Sequence, residues 1–120
     1  MAGVRTAASV VLHRPDGRVF WVRRGEQLRF AGGFYAFPGG AIDLDDSALP
    51  LANGDHLDAI EAPSIAAAAR ELFEETGVLA VPGAERIPQA ERKAVREWLL
   101  KGEASFAELL ARHGLRLPSA

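Results

Sequence analysis

Arg70-Glu71-Leu72-Phe73-Glu74-Glu75-Thr76-Gly77-Val78 is the stretch that decides how this 120-residue chain folds. Projected at about 100° per residue, with Glu71 at zero, Glu74 falls near −60° and Glu75 near +40°. The three carboxylates therefore share one helix face. Ile65, Ala66, Ala69, Leu72, Phe73 and Thr76 gather on the opposite face. The spacing predicts a helix over 64–76, with Ser64 as N-cap and Gly77 as the residue that ends it. Like charges crowded on one face repel, by roughly a few tenths of a kcal/mol for an i,i+4 pair such as Glu71 and Glu75. A divalent cation would cancel that cost, because Mg²⁺ and Ca²⁺ take oxygen ligands. A bare E-x-x-E-E also suits a solvated amphipathic helix. Two details point away from that. Ala67 and Ala68 sit on the glutamate side, where a wholly solvated face would carry longer polar groups. Arg70 stands four residues before Glu74, within reach of its carboxylate.

Working outward, residues 8–13 and 19–24 are rich in β-branched and apolar side chains, and Arg14-Pro15-Asp16-Gly17-Arg18 separates them. Asp-Gly supplies the backbone of a tight turn, so 8–24 reads as a β-hairpin. Phe34-Tyr35-Ala36-Phe37 reads as a short strand stopped by Pro38-Gly39-Gly40. Residues 41–63 are acidic and loop-like, with an Asn53-Gly54 turn signal. A second helix is expected from Pro88 to Lys101. A third is opened by the capping-box pattern Ser105-Phe106-Ala107-Glu108, runs to His113 and stops at Gly114. Ala90, Ala94, Val95, Trp98 and Leu99 would form the buried stripe of the second helix, leaving Arg92, Lys93 and Arg96 as a solvated face. Trp98 and Phe106 read as core or as contacts between the last two helices. His13, His56 and His113 share no spacing and read as surface or capping residues.

Composition narrows the function. The chain has no cysteine, which excludes disulfide frameworks, zinc-thiolate sites, iron–sulfur clusters and thiol catalysis. Sixteen acidic against fourteen basic residues give a formal charge of −2, against general nucleic-acid binding. No apolar run approaches the ~18 residues of a membrane helix. Met1 to Leu12 lacks the apolar stretch and cleavage site of a secretory signal, so the default expectation is a cytoplasmic protein without membrane partners.

Two glycines after a strand mark a turn or a close backbone approach. Phe37-Pro38-Gly39-Gly40 followed by Arg70-Glu71-Leu72-Phe73-Glu74-Glu75-Thr76-Gly77-Val78 resembles the Nudix box, G-x5-E-x7-R-E-U-x-E-E-x-G-U, where U is apolar. The second half matches throughout. That resemblance implies an α/β/α sandwich with a mixed sheet, formed by one domain over residues 1–120. It implies hydrolysis of nucleoside diphosphate derivatives with Mg²⁺ or Mn²⁺. It also implies Glu74 and Glu75 as main metal ligands, Glu71 close by, and Arg70 as structural partner of a box carboxylate. The first half departs. Asp46 stands where the first Glu belongs, and sixteen extra residues interrupt the box over about 47–63. Such an insertion resembles the branch of peroxisomal-type coenzyme A diphosphatases.

Upstream, that branch carries L-L-T-x-R-S/A-x3-R-x3-G-x3-F-P-G-G. Arg24, Arg29, Gly33 and Phe37-Pro38-Gly39-Gly40 keep its spacing, whereas Gly25 and Phe20-Trp21-Val22 do not match, and Asp43 and Asp46 supply the D-x-x-D that often follows. The resemblance implies coenzyme A or acyl-CoA as substrate. Arg24, Arg29, Gly39 and Gly40 would be binding residues, and the products 3′,5′-ADP and 4′-phosphopantetheine. Arginine suits phosphate recognition, although exposed arginines at a strand end and loop are also commonplace. ADP-ribose or a dinucleotide is the alternative substrate, and a non-catalytic nucleotide- or protein-binding module the alternative class. A general base is expected, and no position announces it. Beyond Gly77 the chain offers only Val78–Val81 and helices over 88–114, so the family sheet looks incomplete. The expectation is that Ala120 is not the natural end of the functional unit. Absent strands would leave an open sheet edge and part of the box helix's apolar face bare.

Overall fold

The computed structural model describes residues 6–25, 27, 32–43, 45–46, 49–50 and 61–118. Among these residues four short strands and three α-helices follow in the order β1 (Ala7–Ser9), β2 (Val22–Arg23), β3 (Tyr35–Ala36), β4 (Gly39–Ala41), α1 (Glu61–Thr76), α2 (Gln89–Leu100) and α3 (Phe106–His113), with a 3-10 turn at Ala84–Arg86. The turn at Asp16-Gly17 forms as its sequence dictates. Gly17 adopts φ +88°, Arg14 and Arg18 close the turn, and Asp16 Oδ1 accepts from Arg18 N at 3.0 Å. The hairpin ladder is short, with a bridge between His13 and Val19 and a hydrogen bond from Phe20 N to Leu12 O.

The longer-range pairings correct the expected arrangement. β1 pairs antiparallel with β4 in the register Ala7↔Ala41, Ala8↔Gly40 and Ser9↔Gly39. β2 pairs antiparallel with β3. Gly39 and Gly40 therefore lie inside a strand instead of ending one. The reason is steric. A Cβ on Gly39 would run into Ala8 O and lie 2.8 Å from Ser9 Cα, so glycine permits this approach of β4 to β1. Both described sheet pairs are antiparallel.

α1 starts at Glu61, three residues before Ser64. Pro63 thus lies in the first turn, where a missing N–H costs no intrahelical bond. At the other end Gly77 takes φ +79° and its N–H bonds Phe73 O. α1 is flanked on two sides. It packs against β1 and β4, and it packs against α2. Ala66, Ala69 and Phe73 join the apolar core of Leu79, Val81, Ile87, Val95, Leu109 and Leu110. Phe73 and Phe106 rings meet at 6.0 Å between centroids. Leu72 and Phe73 are both fully buried, while Ile65 and Thr76 on the same face are half-buried.

Pro88 is the N-cap of α2 and not its first residue. Val95 is the buried residue of that helix, while Trp98 is 43% exposed and so not a core residue. α3 follows its sequence signals. Ser105 accepts from Glu108 N at 3.1 Å, and Gly114 closes the helix at φ +63°. His113 Nε2 lies 3.1 Å from Glu91 Oε1, tying α3 to α2. Among the described residues no helix is long and apolar enough to cross a membrane. His56 and the Asn53-Gly54 turn lie outside the described residues.

Candidate active site

The centre of the site is a buried cation. Arg70 is 9% exposed and Asp46 1%. Arg70 Nε donates to Asp46 Oδ1 at 2.8 Å and Nη2 to Asp46 Oδ2 at 3.1 Å, a two-pronged pair. Nη2 also donates to Ala41 O at 3.1 Å, at the end of β4. Nη1 is shared between Glu71 Oε1 at 3.1 Å and Glu74 Oε2 at 3.2 Å. Asp46 Oδ2 further accepts from Asp43 N at 2.8 Å. One guanidinium thus ties the loop after β4, the strand itself and two of the three helix carboxylates. Burial works against the Arg70 charge. The hydrogen bond and charge of Asp46, with the charges of Glu71 and Glu74, outweigh it and raise its pKa above the ordinary value.

The carboxylate face of α1 turns toward β4. Ala67 on that face is fully buried, which accounts for a small side chain there. Glu75 Oε2 accepts from Gly39 N at 3.3 Å. Gly40 has no room for a Cβ, which would meet the Glu71 carboxylate. The double glycine therefore gives a close backbone approach to the helix carboxylates as well as to β1. Burial pushes the Glu74 carboxyl up, with the Arg70 charge opposing and the Glu71 charge adding. Burial likewise pushes Glu75 up, against the Gly39 N–H, and the nearby Arg24 charge also opposes the rise. Arg24 itself holds the β2–β3 end through its backbone, Arg24 N bonding Phe34 O at 2.8 Å and Arg24 O accepting from Gly33 N at 3.0 Å. Arg29 lies outside the described residues.

Glu71 and Glu74 each lend one oxygen to Arg70, and Glu75 lends one to Gly39. Among the described residues the second oxygen of each accepts no hydrogen bond. Among those residues no three His, Asp or Glu side chains are placed together as ligands of one metal ion. The donor set nonetheless fits a hard cation that keeps open positions. Every available atom is a carboxylate oxygen, and Mg²⁺ commonly takes one or two carboxylates and completes its shell with water and substrate phosphate.

Three features of the site were not read from the sequence. One is the burial of Asp46, which stands where the first Glu of the box belongs. A second is Ala41 O as an acceptor. The third is Arg96, read as part of a solvated face, whose Nε donates to Phe73 O at 3.2 Å and Glu74 O at 2.9 Å. A signal for it existed. The last turn of α1 carries no basic residue, so the cation that stabilises its C-terminal carbonyls must come from elsewhere.

Comparison with known proteins agrees with this geometry. Residues 3–99 match the NUDIX domain family. The chain is 40% identical over 76 residues to "Putative nudix hydrolase 7" of Caenorhabditis elegans, covering 62% of this chain and 22% of that protein. It is similar in structure to a NUDIX hydrolase from Alicyclobacillus acidocaldarius, with a TM-score of 0.77, 32% identity, and coverage of 100% of this chain and 59% of the other. The chain thus spans about a fifth of the first relative's length and under two thirds of the second's. A family match across most of the chain, on a fold that sets the carboxylates of Glu71 and Glu75 against a double-glycine strand, makes this chain a member of the NUDIX domain family.

Proposed function

We propose that this domain serves a metal-dependent hydrolase that cleaves the diphosphate of coenzyme A or acyl-CoA in the cytosol. The observation that carries the reading is the cluster of Glu71, Glu74 and Glu75 on one face of α1, each with an oxygen that accepts no hydrogen bond among the described residues, with Glu71 and Glu75 against the Gly39–Gly40 backbone. Those three carboxylates would hold Mg²⁺ or Mn²⁺. A divalent cation bound there supplies Lewis-acid polarisation of a phosphoryl oxygen and a lowered pKa for bound water.

The chain's own residues do the rest. Arg70, fixed by Asp46 and Ala41 O, holds Glu71 and Glu74 in place, so the carboxylates need little reorganisation when substrate arrives. Gly39 and Gly40 present backbone without side chains, which lets a ligand approach β4 closely. Arg24, near enough to bias the Glu75 carboxyl, supplies positive charge for a diphosphate, and Arg29 is proposed to join it. Water attacks one phosphorus and the P–O–P bridge breaks, giving 3′,5′-ADP and (acyl-)4′-phosphopantetheine.

The preference for coenzyme A rests on the spacing of Arg24, Arg29, Gly33 and Phe37-Pro38-Gly39-Gly40. The test is to incubate the protein with CoA, ADP-ribose and a dinucleotide, with Mg²⁺ and with chelator, and to identify products by mass spectrometry. Metal-dependent release of 3′,5′-ADP from CoA is expected. Cleavage of ADP-ribose but not CoA would overturn the substrate, and turnover unaffected by chelator would overturn the metal.

A further inference from the structure

Gln89, Arg92, Lys93 and Arg96 occupy positions i, i+3, i+4 and i+7 of α2 and therefore share one face of that helix. They line a pocket of about 400 Å³ whose opposite wall is the end of α1 and the segment after it, Thr76 to Leu79. Among the described residues no aspartate or glutamate lines it. One of the three cations has a structural job, since Arg96 Nε serves the carbonyls of Phe73 and Glu74. The other two have none. Among the described residues neither Arg92 nor Lys93 makes an ion pair or side-chain hydrogen bond. Arg92 Nε is moreover buried without any partner. A buried donor left unsatisfied is costly and rare in native proteins. Two like-charged residues one helical turn apart, Arg92 and Arg96, add repulsion. The Nε is closed to a pocket ligand, but a bound anion would remove the repulsion and pair with the solvent-facing part of these cations.

We infer that this pocket is an anion site for a phosphate monoester, distinct from the carboxylate cluster on α1. The ligand class follows from the donors. Two guanidinium groups and an ammonium supply charge and planar forked donors suited to a phosphate dianion, and Gln89 adds a neutral amide. The three cations on one wall make the pocket too basic for an apolar ligand. Carbonyl oxygens at the end of α1 would repel an anion, but Arg96 already occupies two of them. The inference does not use the hydrolase reading, because none of its residues belongs to the carboxylate cluster. The phosphate could be free or carried on a nucleotide, and the chemistry at the pocket is the same.

The test is a ¹⁵N NMR titration of the chain with inorganic phosphate and, separately, with 3′,5′-ADP. Chelator is present, so no cation bridges a ligand to Glu74 or Glu75, and ionic strength is constant at about 0.1 M. Shifts are expected at the amides of Gly77, Val78 and Gln89. Arg92→Gln and Lys93→Gln should each weaken binding about tenfold, and Arg92→Lys should restore part of it. Lys93 is exposed, so Lys93→Gln leaves folding intact and keeps the test informative if Arg92→Gln unfolds. Tighter binding of 3′,5′-ADP than of phosphate at the same amides would identify a nucleotide-borne phosphate, and equal binding a free one. Three results would overturn the site: no shift up to about 10 mM phosphate, weaker than any millimolar Kd; shifts confined to β4 and Glu71–Glu75; or unchanged affinity in Lys93→Gln.

Discussion

Replacing Asp46 by alanine probes the framework on which the site is built. Its carboxylate is 1% exposed and takes three hydrogen bonds, from Arg70 Nε at 2.8 Å, Arg70 Nη2 at 3.1 Å and Asp43 N at 2.8 Å. Removing one partner of a buried ion pair costs about 3–5 kcal/mol, because the other charge stays behind in low dielectric. Arg70 would keep Ala41 O, Glu71 and Glu74, which places this part near the lower end, about 3 kcal/mol. The orphaned Asp43 N–H adds about 1 kcal/mol. Asp46→Ala should therefore lose about 4 kcal/mol, a large share of the ~5–15 kcal/mol typical of a domain. Urea unfolding followed by circular dichroism measures it. With a slope near 2 kcal/mol per M, the midpoint should fall by about 2 M. Asp45→Ala, at the exposed neighbour, should stay within about 0.5 kcal/mol of the parent. A midpoint shift for Asp46→Ala no larger than that of Asp45→Ala would refute the reasoning.

The two glycines of β4 should separate stability from ligand binding. Gly39→Ala drives a methyl into the β1 backbone and should cost about 1–3 kcal/mol in a thermal melt. Gly40→Ala meets instead the end of the Glu71 side chain, which can give way at the expense of its bond to Arg70, so it should cost less stability than Gly39→Ala while Mn²⁺ affinity falls about tenfold. Phe73→Ala, in a fully buried position against Phe106, should lose about 3–5 kcal/mol by the same urea assay. Ser105→Ala removes the acceptor for Glu108 N and should cost about 1 kcal/mol.

Local signals in the sequence carried through well. Ser105 and Gly114 bound α3 as expected, and Gly77 ends α1, because caps and left-handed glycines depend on near neighbours. The reach from Arg70 to Glu74 was likewise legible from i,i+4 spacing. Strand pairing was not. Gly39-Gly40 reads locally as a stop, and only the approach of β1, some thirty residues earlier, turns it into a strand that needs glycine. α1 begins before Ser64, a strong cap signal, because Pro63 is just as compatible with a first turn. The site divides the same way. The shared face of Glu71, Glu74 and Glu75 follows from helix geometry. The burial of Asp46 and the capping of α1 by Arg96 depend on tertiary contacts that no local pattern encodes.

The account depends most on the claim that the α1 carboxylates hold a divalent cation. Mn²⁺ binding followed by electron paramagnetic resonance tests it without requiring turnover. The parent chain should bind one Mn²⁺ that Mg²⁺ displaces. Glu75→Gln, which swaps a charged oxygen for a neutral amide of the same shape, should weaken that binding at least about tenfold while the urea midpoint stays within about 0.5 M. Mn²⁺ bound by Glu75→Gln and Glu74→Gln as tightly as by the parent would contradict it.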